Sequence, residues 1–147
     1  MRAAIQVSRR NPGKAIEILQ ATVPYELGVP GPLPEIGALL YPVYLRGQAD
    51  LMLREGRAAA DEFQKFLDNR SMVINSPLGP LARLELARAY AMQHDAAKAK
   101  AAYQDFLTLW KDADPDIPIL KEAQAEYAKC VLSSTLSRRV EVPLALK

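Results

Sequence analysis

The stretch Leu84–Leu109, LELARAYAMQHDAAKAKAAYQDFLTL, decides how the chain folds. Apolar or small residues recur at Leu84, Leu86, Ala87, Tyr90 and Ala91, and again at Ala99, Ala102, Tyr103, Phe106 and Leu107, which is the spacing of one helix face. Two helices are therefore expected, with His94-Asp95 at the junction. Asp95 is suited to cap the second helix, because its carboxylate can accept free N–H groups of the first turn. His94 tolerates positive φ better than most residues and can end the first helix where glycine is more usual.

The order of residue types says more than the periodicity. A small residue at Ala87, an aromatic three later at Tyr90, a second small residue at Ala99 and an aromatic four later at Tyr103 resemble the tetratricopeptide pattern. In that pattern small side chains let paired helices approach closely and aromatics fill the next gap. A second copy lies upstream. Aligning Phe63-Gln64-Lys65-Phe66-Leu67 with Tyr103-Gln104-Asp105-Phe106-Leu107 gives an offset of 40 residues and sets Ala59 under Ala99 and Gly47 under Ala87. Asp50 then stands where Tyr90 stands and Arg46 where Leu86 does, so the first helix of the earlier repeat is expected to pack less well. The offset exceeds the usual repeat of about 34 residues, and the surplus is expected between Asn69 and Gly79.

Working outward, residues 2–22 read as a degenerate first repeat. Pro12 suits a first helical turn and KAIEILQ puts Ala15, Ile16 and Leu19 on one face. Residues 23–34, VPYELGVPGPLP, hold four prolines and two glycines and read as a long loop. The repeat at 36–70 opens with a helix starting at Ile36 or Pro42 and running to Arg54, is broken by Gly56, and continues from Arg57 to Arg70. The repeat at 77–111 follows, with Ser76 capping and Pro77 starting its first helix. Asp116 can cap a last helix over 117–132, with Leu120, Ala123, Tyr127 and Cys130 or Val131 facing inward and Trp110 buried beneath it. Such a helix would cover the open end of a stack of repeats. Residues 133–147 have no helical period and read as an irregular tail. The expected fold is all-α: a tetratricopeptide-like helical-hairpin solenoid over 1–132 with a C-terminal capping helix.

Length and composition allow one domain with a real core, since half of the 147 residues are hydrophobic. Nineteen basic against 17 acidic residues leave a net charge of +2 and no clustered basic stripe, which argues against nucleic acid as a partner. The apolar runs are too short to span a bilayer, and Met1-Arg2-Ala3-Ala4-Ile5 leads into Gln6, Ser8, Arg9 and Arg10 rather than an apolar signal region. A cytoplasmic chain without membrane contact is expected. The single cysteine, Cys130, cannot form an intramolecular disulfide or, with one histidine, a thiolate zinc site.

A narrower likeness rests on particular segments: Ala15-Ile16-Glu17, Pro24-Tyr25-Glu26-Leu27-Gly28, Leu40–Gly47 (LYPVYLRG), Asn75-Ser76-Pro77 and above all Ala101–Pro118 (AAYQDFLTLWKDADPDIP). Across about residues 3–130 the chain resembles the C-terminal tetratricopeptide region of eukaryotic-like serine/threonine protein kinases from acidobacteria. Related regions also follow winged-helix DNA-binding domains. The resemblance implies a bacterial signalling protein of which this chain would be a part; it does not say what the region binds. The ending after Lys129 departs from the usual pattern.

Catalytic motifs are absent from these residues. There is no Gly-x-Gly-x-x-Gly, His-Arg-Asp or Asp-Phe-Gly, so kinase machinery cannot lie here, and no enzyme activity or cofactor is expected. His94 reads as a turn residue rather than a general base. Asp112, Asp114 and Asp116 alternate as in a calcium loop, but Pro115 and Pro118 interrupt it and no glycine stands at its turn, so no metal site is expected.

Three functions fit: a protein-binding or scaffolding module, the regulatory C-terminal part of a kinase whose catalytic domain is not in this chain, and a self-associating helical domain. The partner would be a protein, a peptide or another domain of the parent chain. Its candidate groove, carried over from the tetratricopeptide pattern, comprises Tyr41, Tyr44, Gln48, Leu51 and Met52 beside Leu81, Leu84, Arg88, Ala91 and Met92. Only Gln48 and Arg88 are polar. Such a surface suits an apolar segment carrying one acidic residue rather than a carboxylate clamp. The alternative is that loop 23–34 simply covers Tyr41, Tyr44 and Leu84.

Overall fold

A computed structural model describes residues 1–28, 40–73 and 76–140. Among these residues there are seven α-helices: α1 Arg2–Ser8, α2 Pro12–Gln20, α3 Tyr41–Met52, α4 Gly56–Asp68, α5 Leu78–Met92, α6 Ala96–Leu109 and α7 Pro118–Val140. Among the described residues there is no strand, so the all-α expectation holds. Short 3-10 turns at Val23–Tyr25 and Arg70–Val73 interrupt the two long connections. Each helix packs on its neighbours in sequence, and α3 also touches α1 and α5.

The same backbone device closes three hairpins. Among the described residues, Arg10, Arg54 and His94 are the non-glycine residues with positive φ, at 54°, 63° and 61°. Each follows a helix whose last turn it seals: Arg10 N–H donates to Val7 O at 2.9 Å, Arg54 to Leu51 O at 3.0 Å and His94 to Ala91 O at 3.0 Å. The next N–H reaches back a further step, from Asn11 to Gln6, Glu55 to Asp50 and Asp95 to Tyr90. These paired bonds form a Schellman motif, which satisfies carbonyls that the helix leaves open. Only at the third does a carboxylate cap the helix that follows, Asp95 Oδ1 accepting from Lys98 N at 3.1 Å.

Gly56 is not the breaker expected. The turn falls on Arg54 and Glu55, and Gly56 is the first residue of α4. A Cβ there would lie 3.1 Å from Ala89 O and 3.2 Å from the Met92 Cβ, while Gln93 Nε2 donates to Gly56 O at 3.0 Å. Glycine is used here for close approach to α5.

Small residues bring the helices together and aromatic rings fill the space between them. Ala59 and Ala99 are fully buried, as are Phe63, Phe66 and Phe106, and Tyr103 nearly so. At Gly47 a Cβ would come within 2.8–3.0 Å of the Phe63 ring. Ala3, Ala15 and Leu19 make a smaller cluster with Leu45 and Ala49, which attaches the first hairpin to α3.

The expectation of a poorly packed α3 is overturned. Arg46 and Asp50 are buried, along with five other residues of that helix. Arg46 is accommodated because its guanidinium is fully matched: two bonds to Glu26 at 2.6 and 2.9 Å, and two to Glu62 at 2.8 Å each. Lys65 Nζ adds a bond to Glu26 Oε2 at 2.6 Å, and the Thr22 hydroxyl one to Oε1 at 3.2 Å. Planar bidentate pairing is the arrangement that offsets the cost of burying an arginine. Through Glu26 the start of the proline-rich connection is fastened to α3 and α4. Ile36 and the rest of that connection, 29–39, lie outside the described residues, and α3 begins with Pro42 in its first turn.

Ser76 Oγ accepts from Leu78 N at 3.3 Å, but the N-cap of α5 is Pro77 rather than the expected Ser76, and the helix starts one residue later than expected, at Leu78. At the C-terminal end two readings change. Helix α7 continues to Val140, so helix replaces the irregular tail over 133–140; residues 141–147 lie outside the described residues. Asp116 does not cap it: its carboxylate receives Lys121 Nζ at 2.7 Å, and Asp114 Oδ1 turns the backbone by accepting Asp116 N–H at 2.8 Å. Leu120, Ala123 and Cys130 face inward and Tyr127 partly so, as expected. Trp110 is half-buried rather than buried, its ring 5.1 Å from that of Phe106.

Two predictions follow from the packing and the buried charge. Gly47→Val and Ala99→Leu should each cost about 1–3 kcal/mol by overpacking, whereas Gly79→Ala, where nothing lies within 4 Å, should be neutral or gain up to about 1 kcal/mol. Denaturant midpoints test all three. Burial, with Glu62 and Glu55, raises the Asp50 carboxyl from its ordinary 3.8 to about 6, against the pull of Arg46. The folded state thus binds this proton more tightly than the unfolded chain. Its contribution is most favourable below about pH 4 and is lost as pH rises through 6. Burial would raise Glu26 too, but Arg46 and Lys65 outweigh it and hold it below its usual value, so its contribution is lost as pH falls. Asp50→Asn should therefore be about 1–2 kcal/mol more stable than the parent at pH 7.5, with the gain vanishing near pH 4. Melts across that range decide it.

Candidate binding face on α3, α5 and α7

Helices α3 and α5 lie side by side, and along their seam runs an open trough of about 300 Å³ lined by Gln48, Leu51, Met52, Glu85, Arg88 and Met92. Five of these six belong to the groove expected from the sequence. Met52 and Met92 end their helices two residues before Arg54 and His94, so the trough opens toward the hairpin turns. Met52 is 45% exposed. Methionine's unbranched, polarisable side chain can adapt to partners of varied shape.

Tyr44 and Leu84 do not belong to this surface. Tyr44 is turned toward α4, making edge contacts with the rings of Phe63 at 5.7 Å and Phe66 at 5.9 Å. Burial, aided by Glu85, raises its phenol above the usual value. Leu84 is fully buried in the cluster that includes Leu120 and Ala123 of α7. Leu81 packs against the α3–α4–α5 core, and Tyr41 and Ala91 are exposed but outside the trough lining. The packing of α4 and α7 accounts for the difference. Loop residues 29–34, the expected alternative cover, lie outside the described residues.

Arg88 is not a free cation. Nε and Nη2 reach Glu126 at 2.9 and 3.0 Å, Nη1 reaches Glu85 at 3.2 Å, and Nη2 also faces Glu122 at 3.4 Å. Burial disfavours its charge, but Glu126 and Glu85 more than compensate and hold it protonated. The Tyr103 hydroxyl donates to Glu126 Oε2 at 3.0 Å, so the core aromatic of α6 is tied into the same network. Glu85 is held above the usual carboxylate range by burial and by Glu126 and Glu122, with Arg88 opposing. None of the three glutamates stood out in the sequence. Glu85 and Arg88 are an ordinary i,i+3 pair, but Glu122 and Glu126 come from a helix more than thirty residues away.

A second trough of about 410 Å³, between α4, α5 and α6, is bordered by Gln64, Asp68, Arg83 and Asp105. Two of its apolar residues, Leu86 and Ala102, are already buried, so it has less to gain from a partner. His94 is exposed at its turn, and Cys130 Sγ lies 3.6 Å from Ala96 O. Asp112, Asp114 and Asp116 are all exposed; among the described residues no group of three or more His, Cys, Asp or Glu is placed to hold a metal ion. No described helix is long and apolar enough to cross a membrane. Compared with protein-family models, curated proteins and solved structures, the chain has no match.

Removing the cation from this network should show in its neighbours. Arg88→Gln is expected to raise the Glu85 carboxyl further and to lower stability by roughly 1.5–3 kcal/mol through lost charged hydrogen bonds. Side-chain NMR titration of Glu85, beside a thermal melt, measures both; an unchanged Glu85 titration would mean that the contact is not made in solution.

Proposed function

We propose that the chain is a protein-interaction module: a tetratricopeptide-like stack of helical hairpins whose α3, α5 and α7 form the docking face and whose last helix covers the end of the stack. One observation carries this. An exposed Met52 and the half-buried Leu51 and Met92 line a trough whose neighbouring charges are already fixed to one another. An amphipathic helix or extended segment of another protein could bury its apolar side chains there without disturbing the network. The thrice-repeated Schellman turn and the recurrent pairing of small residues with large ones support the repeat construction.

The reading is non-catalytic because the groups with reactive potential are committed elsewhere. Arg88 and Tyr103 are bound to glutamates, and His94 stands exposed at a turn with no nucleophile described beside it. The sequence resemblance extends the proposal to a bacterial signalling protein of which this would be the non-catalytic part.

Selection of a random-peptide phage library against the immobilised chain tests the reading, with Met52→Asp combined with Met92→Asp as the counter-target. Enriched peptides should bind the parent and lose about tenfold or more, ~1.4 kcal/mol, against the double variant, whose far-ultraviolet circular dichroism stays helical. Peptides that bind both proteins equally would show that docking does not use this face.

A further inference from the structure

Resting on that docking reading, we infer that the segment accepted by this face carries a lysine or arginine beside its apolar residues, seated against the carboxylates of Glu85 and Glu122. The argument is one of charge and of hydrogen-bonding capacity. One guanidinium serves three glutamates, so the four side chains together carry a formal charge of −2 when ionised. Arg88 has little left to offer an incoming acid: Nε, Nη1 and Nη2 are all engaged.

The carboxylates are the unsaturated partners. Each can accept about four hydrogen bonds. Glu85 is joined to Arg88 through Oε1 and Glu122 through Oε2, at 3.2 and 3.4 Å, and among the described residues no hydrogen bond is made to the second oxygen of either. Glu85 belongs to the trough lining with its side chain only 12% exposed, and Glu122 stands 64% exposed on α7. A partner lying across the seam would therefore meet thioethers and Leu51 on one side and an acidic edge on the other. The residue that looked in the sequence like an anion receptor is in fact the counter-ion of an acidic cluster, and the expected charge of the partner reverses. Closeness to low-dielectric apolar surface strengthens a charge pair there relative to one in open water.

The peptides enriched by the phage selection serve as probes. Those that depend on Met52 and Met92 should contain a basic residue. Replacing it by glutamine should weaken binding about three- to fivefold and by glutamate more, Glu122→Gln in the protein should produce a similar loss, and the two changes together should cost less than their product. Affinity should fall as salt rises from about 50 mM to about 0.5 M. Fluorescence anisotropy with synthetic peptides reads each value. Methionine-dependent peptides that lack a basic residue, or whose affinity ignores Glu122→Gln, would overturn this inference and leave the docking reading standing. A selection yielding no methionine-dependent peptide would remove both.

Discussion

The contact of the Phe63 ring with Gly47 is the constraint from which most of the structure follows. A Cβ at Gly47 would stand within 3 Å of the Phe63 ring, so α3 and α4 can approach as they do only with glycine at that crossing. That closeness lets Tyr44 reach both Phe63 and Phe66, and it is repeated less severely where Ala87 and Ala99 meet around Tyr103. Dispersion contacts are individually weak, so the fit of ring to gap sets the spacing of the α3–α4 and α5–α6 hairpins. The position of one hairpin then determines that of the next through α4 against α5, where Gly56 again removes a side chain from the approach.

Two arginines make different use of the surfaces left by this packing. Arg46 lies inside, 6% exposed, and its four bonds to Glu26 and Glu62 fasten a loop to two helices. Arg88 lies at an edge, 25% exposed, and joins α5 to α7. Breaking a buried pair leaves an uncompensated charge, whereas forming one gains little over well-packed hydrophobic residues. Arg46 accordingly holds one arrangement of the 22–26 segment, and Arg88 holds α7 at a set angle to the face it borders.

For the proposed docking role, the consequence is a surface already organised before any partner arrives. Leu51, Met52 and Met92 are carried on helices whose ends are sealed by Schellman bonds, and the nearby charges need no rearrangement. Pre-organisation lowers the entropic cost of docking and leaves the methionines to accommodate differences in shape. In that proposal the acidic edge would contribute orientation more than strength.

Periodicity and residue order by themselves determined the helices, the hairpin turn at His94-Asp95, the small-residue crossings and the aromatic filling, because each depends on neighbours within a few residues. The groove carried over from the tetratricopeptide resemblance also included most of the trough lining, Gln48, Leu51, Met52, Arg88 and Met92, which share helix faces at local spacing. Only the tertiary structure decided the rest. Arg46 looked like a flaw in a repeat until Glu26 and Glu62 came beside it; Tyr44 and Leu84 left the groove when α4 and α7 covered them; Arg88 changed from a receptor of anions to a counter-ion when Glu122 and Glu126 arrived from α7. The reason is common to all three. Burial and the sign of local charge are properties of what lies across the gap, and here that is supplied by residues distant in the chain.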